Sequence, residues 1–387
     1  MLRFILRRLL SGLVTLFLFQ TAIFFAIQLV IPGDFASQYA LILSQDEMQE
    51  LRQQLGLDLP VGERYLHWIE NLLRGDLGRS FSLRGPGDTV FEVIQRAAPP
   101  TILVFGLGTL LAFLLGQWLG KLTAWRGPGI ITGAVTFGGI ALYTSFPPWL
   151  AFLLLYFLTT QLGLLPPMFS GGLWRQAPVT TSQVMLYMAL ALVVILILAF
   201  LLSLLVRRLW RKSIPVPIFL FLGIIAWVAS WRLMGMLPYA LDIAKAAALP
   251  LTGYVLLSFG EIMLVMRTTM TDVMHEQYVH TAFAKGLSSQ AVRDRHVARN
   301  ALLPVLSGLV IRLPYLLTGA VMLERALNWQ GIGTELFMAV GVQNILLVMG
   351  LMLVIGMVSL AARVLLDILQ ALLDPRIRVG AGQLKGL

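Results

Sequence analysis

The 387-residue chain has no cysteine, which excludes disulfides and thiolate metal sites. It has only four histidines, His67, His275, His280 and His296, and no two of them form a metal-spaced pair on an apolar helix. No G-x-x-x-x-G-K-[ST] run occurs, so the chain lacks the loop that cradles nucleotide phosphates. Charge is scarce too. Asp, Glu, Lys and Arg make up 12% of the residues, against roughly a quarter in soluble domains. That deficit points to lipid as the solvent. The net charge of +10 would suit nucleic acid in a soluble protein. In lipid it marks Lys/Arg-rich cytoplasmic loops instead, and no nucleic-acid partner is expected.

What fills the space is apolar: 58% of residues are hydrophobic and the mean hydropathy is +0.83. A spanning helix needs about 20 such residues. The opening "MLRFILRRLL" has the basic start of a signal peptide. Its apolar run continues from Leu9 to Ile31, however, past the ~7–15 residues of a signal core, so it reads as an uncleaved first span. Further runs at 101–121, 131–160, 184–206, 216–237, 249–268, 305–327 and 345–369 predict about eight spans in all. The run at 131–160 contains "SFPPWL", and Pro147 and Pro148 should kink it or split it into a span and a tilted surface turn.

Orientation follows from short-loop Lys and Arg. With the N-terminus inside, most of these, including Arg126, Arg207, Arg208, Arg267, Lys285 and Arg376, fall on the cytoplasmic side. The short outside loops and their borders hold only Arg175, Arg232, Lys245 and Arg325; the long segment 32–98 holds six more Arg, but long loops obey the rule poorly. Segment 32–98 is then extracytoplasmic. Within it, "SQDEMQELRQQLGL" and "VGERYLHWIENLLRG" read as amphipathic helices. Met48, Leu51 and Leu55 share one face of the first; Tyr65, Trp68, Ile69, Leu72 and Leu73 share one face of the second. Such a segment is either a surface layer on lipid headgroups or a lid or docking surface.

One stretch inside the cytoplasmic boundary breaks the apolar pattern: "YVHTAFAKGLSSQAVRDRHVARNALLP", Tyr278–Pro304. Val279, Ala282 and Phe283 give a short helix an apolar side. Gly286 suits the left-handed position that ends it, and Ser288 is a candidate N-cap for a second helix. Val292 and the "ALLP" end supply a second apolar side, while Arg293, Arg295 and Arg299 stay polar. By pattern alone this is either a basic amphipathic element on anionic lipid or a protein-binding knob.

The residues of this stretch resemble the so-called EAA loop of ATP-binding-cassette importer permeases, in the dipeptide/oligopeptide/nickel branch. Thr281, Ala282, Ala284, Lys285 and Gly286 match "TA-x-AKG", and Asn300, Leu303 and Pro304 match "RNALLP". The likeness extends to "LRFILRRLL…IPGD" with Pro32, Gly33 and Asp34, to "LGLDLP" (Leu55–Pro60), "GDLGRS" (Gly75–Ser80) and "DPRIR" (Asp374–Arg378). It implies a six-span core, here with an extra hairpin, in an all-α membrane protein of the prokaryotic inner membrane with both termini cytoplasmic. It implies a loop that couples to ATPase subunits through Tyr278, Val279, Thr281, Ala282, Phe283, Ala284, Lys285, Gly286, Leu287, Ser288, Arg299, Asn300 and Pro304. It implies as partners a second homologous permease subunit, two ATP-binding subunits that hold ATP and Mg, an extracytoplasmic solute-binding protein and the bilayer. The chain itself should be neither an enzyme nor a cofactor binder. The solute would be a di- or oligopeptide, or alternatively nickel, glutathione or an oligosaccharide. The chain departs from the pattern at His280, where the loop's Glu would fall, at Gln330 in "WQGIG", where Pro is usual, and at "GVQN", which replaces an acidic-aromatic-Pro turn.

The expected layout is a first span at 1–31, an extracytoplasmic cap at 32–98, spans two and three within 99–170, outer loops and an inserted hairpin at 171–248, a core permease domain at 249–375 with the coupling loop at 271–303, and a cytoplasmic tail at 376–387. Two other classes are weaker. An ion-coupled carrier would place carboxylates or His within its spans, and here only Glu261 and Arg312 lie well inside. An intramembrane hydrolase would need a nucleophile beside a base, and none is seen. Glu261 and Arg312 fall at matching depths, so they either pair or each reach separately to water.

Overall fold

The structure is a computed structural model that describes residues 2–30, 32–82, 85–166, 169, 171–175, 177–210 and 216–373. The first helix, α1 (Leu2–Val30), leads outward to the cap. The cap holds α2 (Gln45–Gln54), α3 (Val61–Leu73) and a two-stranded antiparallel ladder, β1 (Arg79–Ser82) with β2 (Gly85–Thr89). Next come α4 (Val90–Arg126) and two short helices, α5 (Ile130–Tyr143) and α6 (Pro147–Gln161). The hairpin helices are α7 (Thr181–Trp210) and α8 (Val216–Leu233). The long α9 (Leu237–Met274), the short α10 (Gln277–Ala284), α11 (Ala298–Ala326), α12 (Ile332–Gly341) and α13 (Ile345–Leu373) complete the chain.

The all-α membrane character holds, but the expected eight spans do not. Among the described residues four helices are long and apolar enough to cross a membrane: Leu6–Val30, Val90–Arg126, Leu237–Met274 and Ile345–Val364. A fifth counts only if α5 and α6 form one span, and they are bent by 107°. The run at 131–160 breaks where the proline pair was expected to kink or split it: α5 ends at Tyr143 and Pro147 and Pro148 start a new helix in a new direction; proline suits a first turn, where its missing N–H costs nothing. The hairpin runs are not among the four, their described apolar stretches being Thr181–Ile195 and Phe221–Leu233. The run at 305–327 lies on α11, where the side chains at 309–320 fall outside the described residues. The hairpin tip at 211–215, the "DPRIR" motif and the tail at 376–387 also lie outside them.

The centre of the fold is the contact between α4 and α9. Lipid tails are as apolar as leucine, so membrane helices associate through close packing, favoured by small residues four apart. Gly108, Ala112, Gly116, Gly120 and Ala124 supply that stripe on α4. A Cβ on Gly116 would stand 2.7 Å from the Phe259 carbonyl oxygen, and one on Gly120 would stand 2.6 Å from that of Met263. Gly139 of α5 meets Gly260 of α9 backbone to backbone on another side, and the Arg267 guanidinium donates to Thr136 Oγ1 at 2.7 Å. Of the four long helices, α9 is the most buried and α1 the least. α1 lies along α13, where Gly12 receives Leu360 and Gly356 receives Leu16.

The cap is anchored rather than loosely laid on the surface. Ser44 and Glu47 close a capping box on α2, which satisfies two amides of its first turn. Leu51 and Trp68 of the expected apolar faces are buried, whereas Leu73 is exposed. Tyr65 and Trp68 pack on Phe24 of α1, and Tyr65 Oη lies 2.6 Å from Thr21 Oγ1. Asp34 accepts from Arg52 Nε at 2.7 Å. Partial burial pushes the Asp34 carboxyl up, but the bonds from Arg52 and Ser37 outweigh it and hold it below its ordinary value. The "GVQN" turn is the cap's clamp: Gln343, at φ 55°, donates to the Pro32 carbonyl at 3.0 Å, and Asn344 donates to that of Phe81 at 3.3 Å.

The α4–α9 contact leaves no room for a larger side chain. Gly120→Leu should cost about 1–3 kcal/mol through overpacking. It should lower the thermal unfolding midpoint of the purified chain, while Gly62→Ala, in helix α3 with no heavy atom within 4 Å of its Cβ, should not lower it and should raise it slightly, since alanine is the better helix former.

Candidate functional site

The stretch singled out in the sequence forms a compact knob between α9 and α11. α10 ends in a glycine-dependent cap. Gly286 sits at φ 78°, its N–H bonds the Phe283 carbonyl at 2.9 Å, and the Leu287 N–H bonds that of Ala282 at 3.3 Å. This double bond pattern closes the last turn and needs a left-handed residue at the second-last position. Ser288 Oγ then accepts from the Ala291 N–H at 3.3 Å and starts the return leg, which passes through a π turn at Val292–Val297 into α11.

The knob has two unlike sides. Val279 and Ala282 are buried with Val292, Val297 and Ala301 against Met263, Met266 and Met270 of α9. Phe283 faces the other way and is 46% exposed, so the expected single apolar face is split between an anchor and a free side. Tyr278 and Leu287 are exposed beside it, as are Thr281, Ala284, Lys285, Gly286, Ser288, Arg299, Asn300 and Pro304. Asn300 Nδ2 donates to Tyr278 Oη at 2.7 Å, which ties the knob to the first turn of α11.

A third tie was not legible in the sequence. Asp294 accepts from Arg293 Nε and Nη2 at 3.0 and 2.9 Å, and Lys121 Nζ near the end of α4 lies 3.1 Å from Asp294 Oδ1. The Arg293 guanidinium, against the effect of partial burial and with Lys121 alongside, holds the Asp294 carboxyl below the usual carboxylate range. The knob is therefore fastened to α9 and α11 by packing and to α4 by charge.

At the far end of α11, about 40 Å away at 1.5 Å per residue, lies a cavity of about 350 Å³. Its walls come from α4, α9, α11, α12 and α13. Pro99 and Pro100 inside α4 remove backbone donors, and the helix widens into a π turn at Ile102–Gly106; such turns recur at functional sites. Glu324, fully buried, forms one end of the cavity. Its Oε1 accepts from Thr101 Oγ1 at 2.6 Å and its Oε2 from the Thr334 N–H at 3.1 Å. Thr101 Oγ1 accepts in turn from the Ile332 N–H at 2.8 Å. Gly331 and Gly333 of "WQGIG" let the backbone pass this carboxylate, for a Cβ on Gly333 would stand 2.8 Å from Glu324 Oε2. Trp329 donates its indole N–H to the Pro100 carbonyl at 3.2 Å. Reading charge within apolar runs overlooked Glu324 because it sits next to Arg325 at a run's end. Of the two residues that reading chose, Glu261 accepts from Tyr143 Oη at 3.3 Å, and the Arg312 side chain lies outside the described residues. Among the described residues no group of His, Cys, Asp or Glu could hold a metal ion.

Residues 212–379 match the family described as binding-protein-dependent transport system inner membrane component, and residues 1–99 match the N-terminal region of such membrane components. A protein of Brucella suis biovar 1 (strain 1330), named as a peptide permease, is 31% identical over 98% of this chain and 100% of its own length. A Sinorhizobium fredii (strain NBRC 101917 / NGR234) protein, named as a peptide ABC transporter permease, is 26% identical over 97% of this chain and 99% of its own. The glutathione transport system permease protein GsiC of Escherichia coli (strain K12) is 26% identical over 98% and 99%.

Two outcomes follow from the geometry. Asp294→Asn should speed amide exchange in α10 by up to about fivefold at pH 7, since a part-exposed ion pair contributes about 1 kcal/mol at most. Because the folded carboxyl titrates below its ordinary value, its contribution is complete above that value and is lost as pH falls through the lowered one. The difference between variant and parent should thus persist at pH 5 and disappear only in stronger acid. Glu324→Ala strands the Thr334 N–H, at a cost of about 1–3 kcal/mol, so its thermal midpoint should fall further than that of Thr101→Ser, which keeps the hydroxyl.

Proposed function

The chain belongs to the inner membrane components of binding-protein-dependent transport systems, and on that premise we propose that it moves di- or oligopeptides across the prokaryotic inner membrane. The family makes it a multi-pass, non-catalytic permease subunit of an ATP-binding-cassette importer. The finer reading concerns its solute and its contacts. Two of the relatives carry names for peptide permeases and one for a glutathione permease. Glutathione is itself a tripeptide, so a peptide solute covers all three.

The observation that carries the reading is the split knob. Its inner side is locked to α9 and α11, and its outer side offers Phe283, Tyr278 and Leu287 to water. Burying a phenylalanine side chain contributes about 1.5–3 kcal/mol, so such a surface is built for a partner. We assign it to the cleft of an ATP-binding subunit, with Lys285 and Arg299 at its rim. Each of two permease subunits, this chain and a homologous one, would dock one ATPase, which binds ATP and Mg. When the ATPases close, the knob moves with its cleft. The fastening to α9, α11 and α4 then passes that motion into the membrane, which alternates between inward- and outward-facing states.

On this reading the knob and both termini are cytoplasmic. The cap at 32–98 and the α12–α13 turn that clamps it face the extracytoplasmic solute-binding protein. The hairpin of α7 and α8 is peripheral, with its basic tip at Arg207–Ser213 in the cytoplasm. No described hairpin residue lines the cavity, which supports that placement.

Phe283→Asp should weaken ATPase docking by at least about tenfold, and Gly286→Val, which strains a left-handed turn, should abolish transport while leaving the chain in the membrane. Co-purification of the ATPase subunits with each variant is the measurement. Wild-type yield of ATPase with both variants would reject the knob as the docking element.

A further inference from the structure

The cavity beside the π turn of α4 has a property that its size alone does not convey: its wall is almost wholly apolar, and its few polar side chains already have hydrogen-bond partners within the protein. Tyr254 Oη and Thr109 Oγ1 lie 2.9 Å apart and share one hydrogen bond. Thr101 and Glu324 are engaged with each other and with the start of α12. Ser359 Oγ donates to the Ile355 carbonyl of its own helix at 2.8 Å. The rest of the lining is aliphatic or aromatic. A ligand that needs hydrogen bonds would lose those it made to water and gain few here. An apolar group would lose nothing.

The volume narrows the occupant. About 350 Å³ is at the low end of small-molecule sites, enough for one large side chain and too little for a whole oligopeptide. The opening is set by the sequence. Pro99 and Pro100 directly precede the π turn, and Gly106 at the end of that turn lines the space. A Cβ on Gly106 would meet no heavy atom within 4 Å, unlike Gly108, Gly116 and Gly120 on the same helix, whose positions are filled by α9. Glycine is therefore not required at 106 by packing. Its effect is to keep the cavity open.

We propose that this cavity is a subsite of the solute path that receives an apolar side chain of the peptide in transit, and that Gly106 sets the size it accepts. The proposal rests on the peptide reading above. The cavity also adjoins the parts that move on that reading. α4, α9 and α11 carry the knob at their other ends, and α12 and α13 carry the cap clamp, so relative motion of these two groups would change the cavity's shape.

Two measurements on the assembled transporter in proteoliposomes test it. The first compares ATP-driven uptake of trileucine and triglycine by the parent and by Gly106→Leu. Trileucine uptake should fall about tenfold or more, the usual scale for crowding an apolar pocket, while triglycine uptake changes less than about twofold. An equal change in both, or no change in either, overturns the subsite and leaves the peptide reading intact. The second uses Gly106→Cys in this cysteine-free chain. A membrane-impermeant maleimide should label it in one nucleotide state at least, and trileucine should protect it. Absence of labelling in every state would mean that the cavity faces acyl chains or stays shut, and overturns the proposal. If the parent moves neither peptide, the peptide reading is the part that fails. Protection of the cysteine by N-acetyl-leucinamide then decides the subsite: protection supports an apolar subsite for another solute, and no protection overturns it.

Discussion

Close backbone contact between α4 and α9 is the constraint on which the other features depend. In a bilayer no hydrophobic effect drives two apolar helices together, so their association rests on dispersion at short range and on the absence of side chains in between. The small-residue stripe from Gly108 to Ala124 allows Gly116 and Gly120 to meet the carbonyl side of α9. α9 in turn continues into the knob, and α4 brings Lys121 to Asp294. The knob is thereby joined to two long helices in close backbone contact. Had α4 carried leucine along this stripe, the helices would stand apart and neither the charge tie nor the cavity would have its present form.

The opposite end of the same helices shows a different use of polar chemistry. A fully buried carboxylate costs several kcal/mol unless its lone pairs are met. Glu324 is met by a hydroxyl from α4 and by an amide in the first turn of α12, where the helix dipole also favours negative charge. α4 is thereby fixed to the corner between α11 and α12, 223 positions further along the chain. The two glycines of "WQGIG" are explained by the same contact, since a side chain there would displace the carboxylate. The knob is the reverse arrangement: its polar and aromatic groups are left facing water, and only its inner face is committed.

Sequence pattern was informative where one residue sets local geometry. Gly286 as the left-handed end of a short helix, Ser288 as the cap of the next, and Pro147 with Pro148 as a break could all be read from residue type, because backbone conformation there is set by the residue itself. Apolar run length was a poorer guide. Taken alone it runs on through 131–160, where only the proline pair signals the break at which the chain bends by 107°, and it gave about eight spans where four long apolar helices are found among the described residues. Hydropathy averages over a window and does not register direction. The "GVQN" departure, which looked like a loss of pattern, turned out to hold the cap in place.

By itself the sequence determined that this is an all-α protein of the membrane, where helices break at proline and glycine, and which short basic stretch interrupts the apolar pattern; whether that stretch lies on lipid or forms a knob its pattern left open. Those properties depend on composition, periodicity and the intrinsic geometry of single residues. Only the tertiary structure decided which face of the knob is free, that Asp294 answers Lys121, that Glu324 is the buried polar centre, and that five helices enclose a cavity beside Gly106. Each of these joins residues tens to hundreds of positions apart, and such pairings are fixed by how helices pack, not by any local signal along the chain.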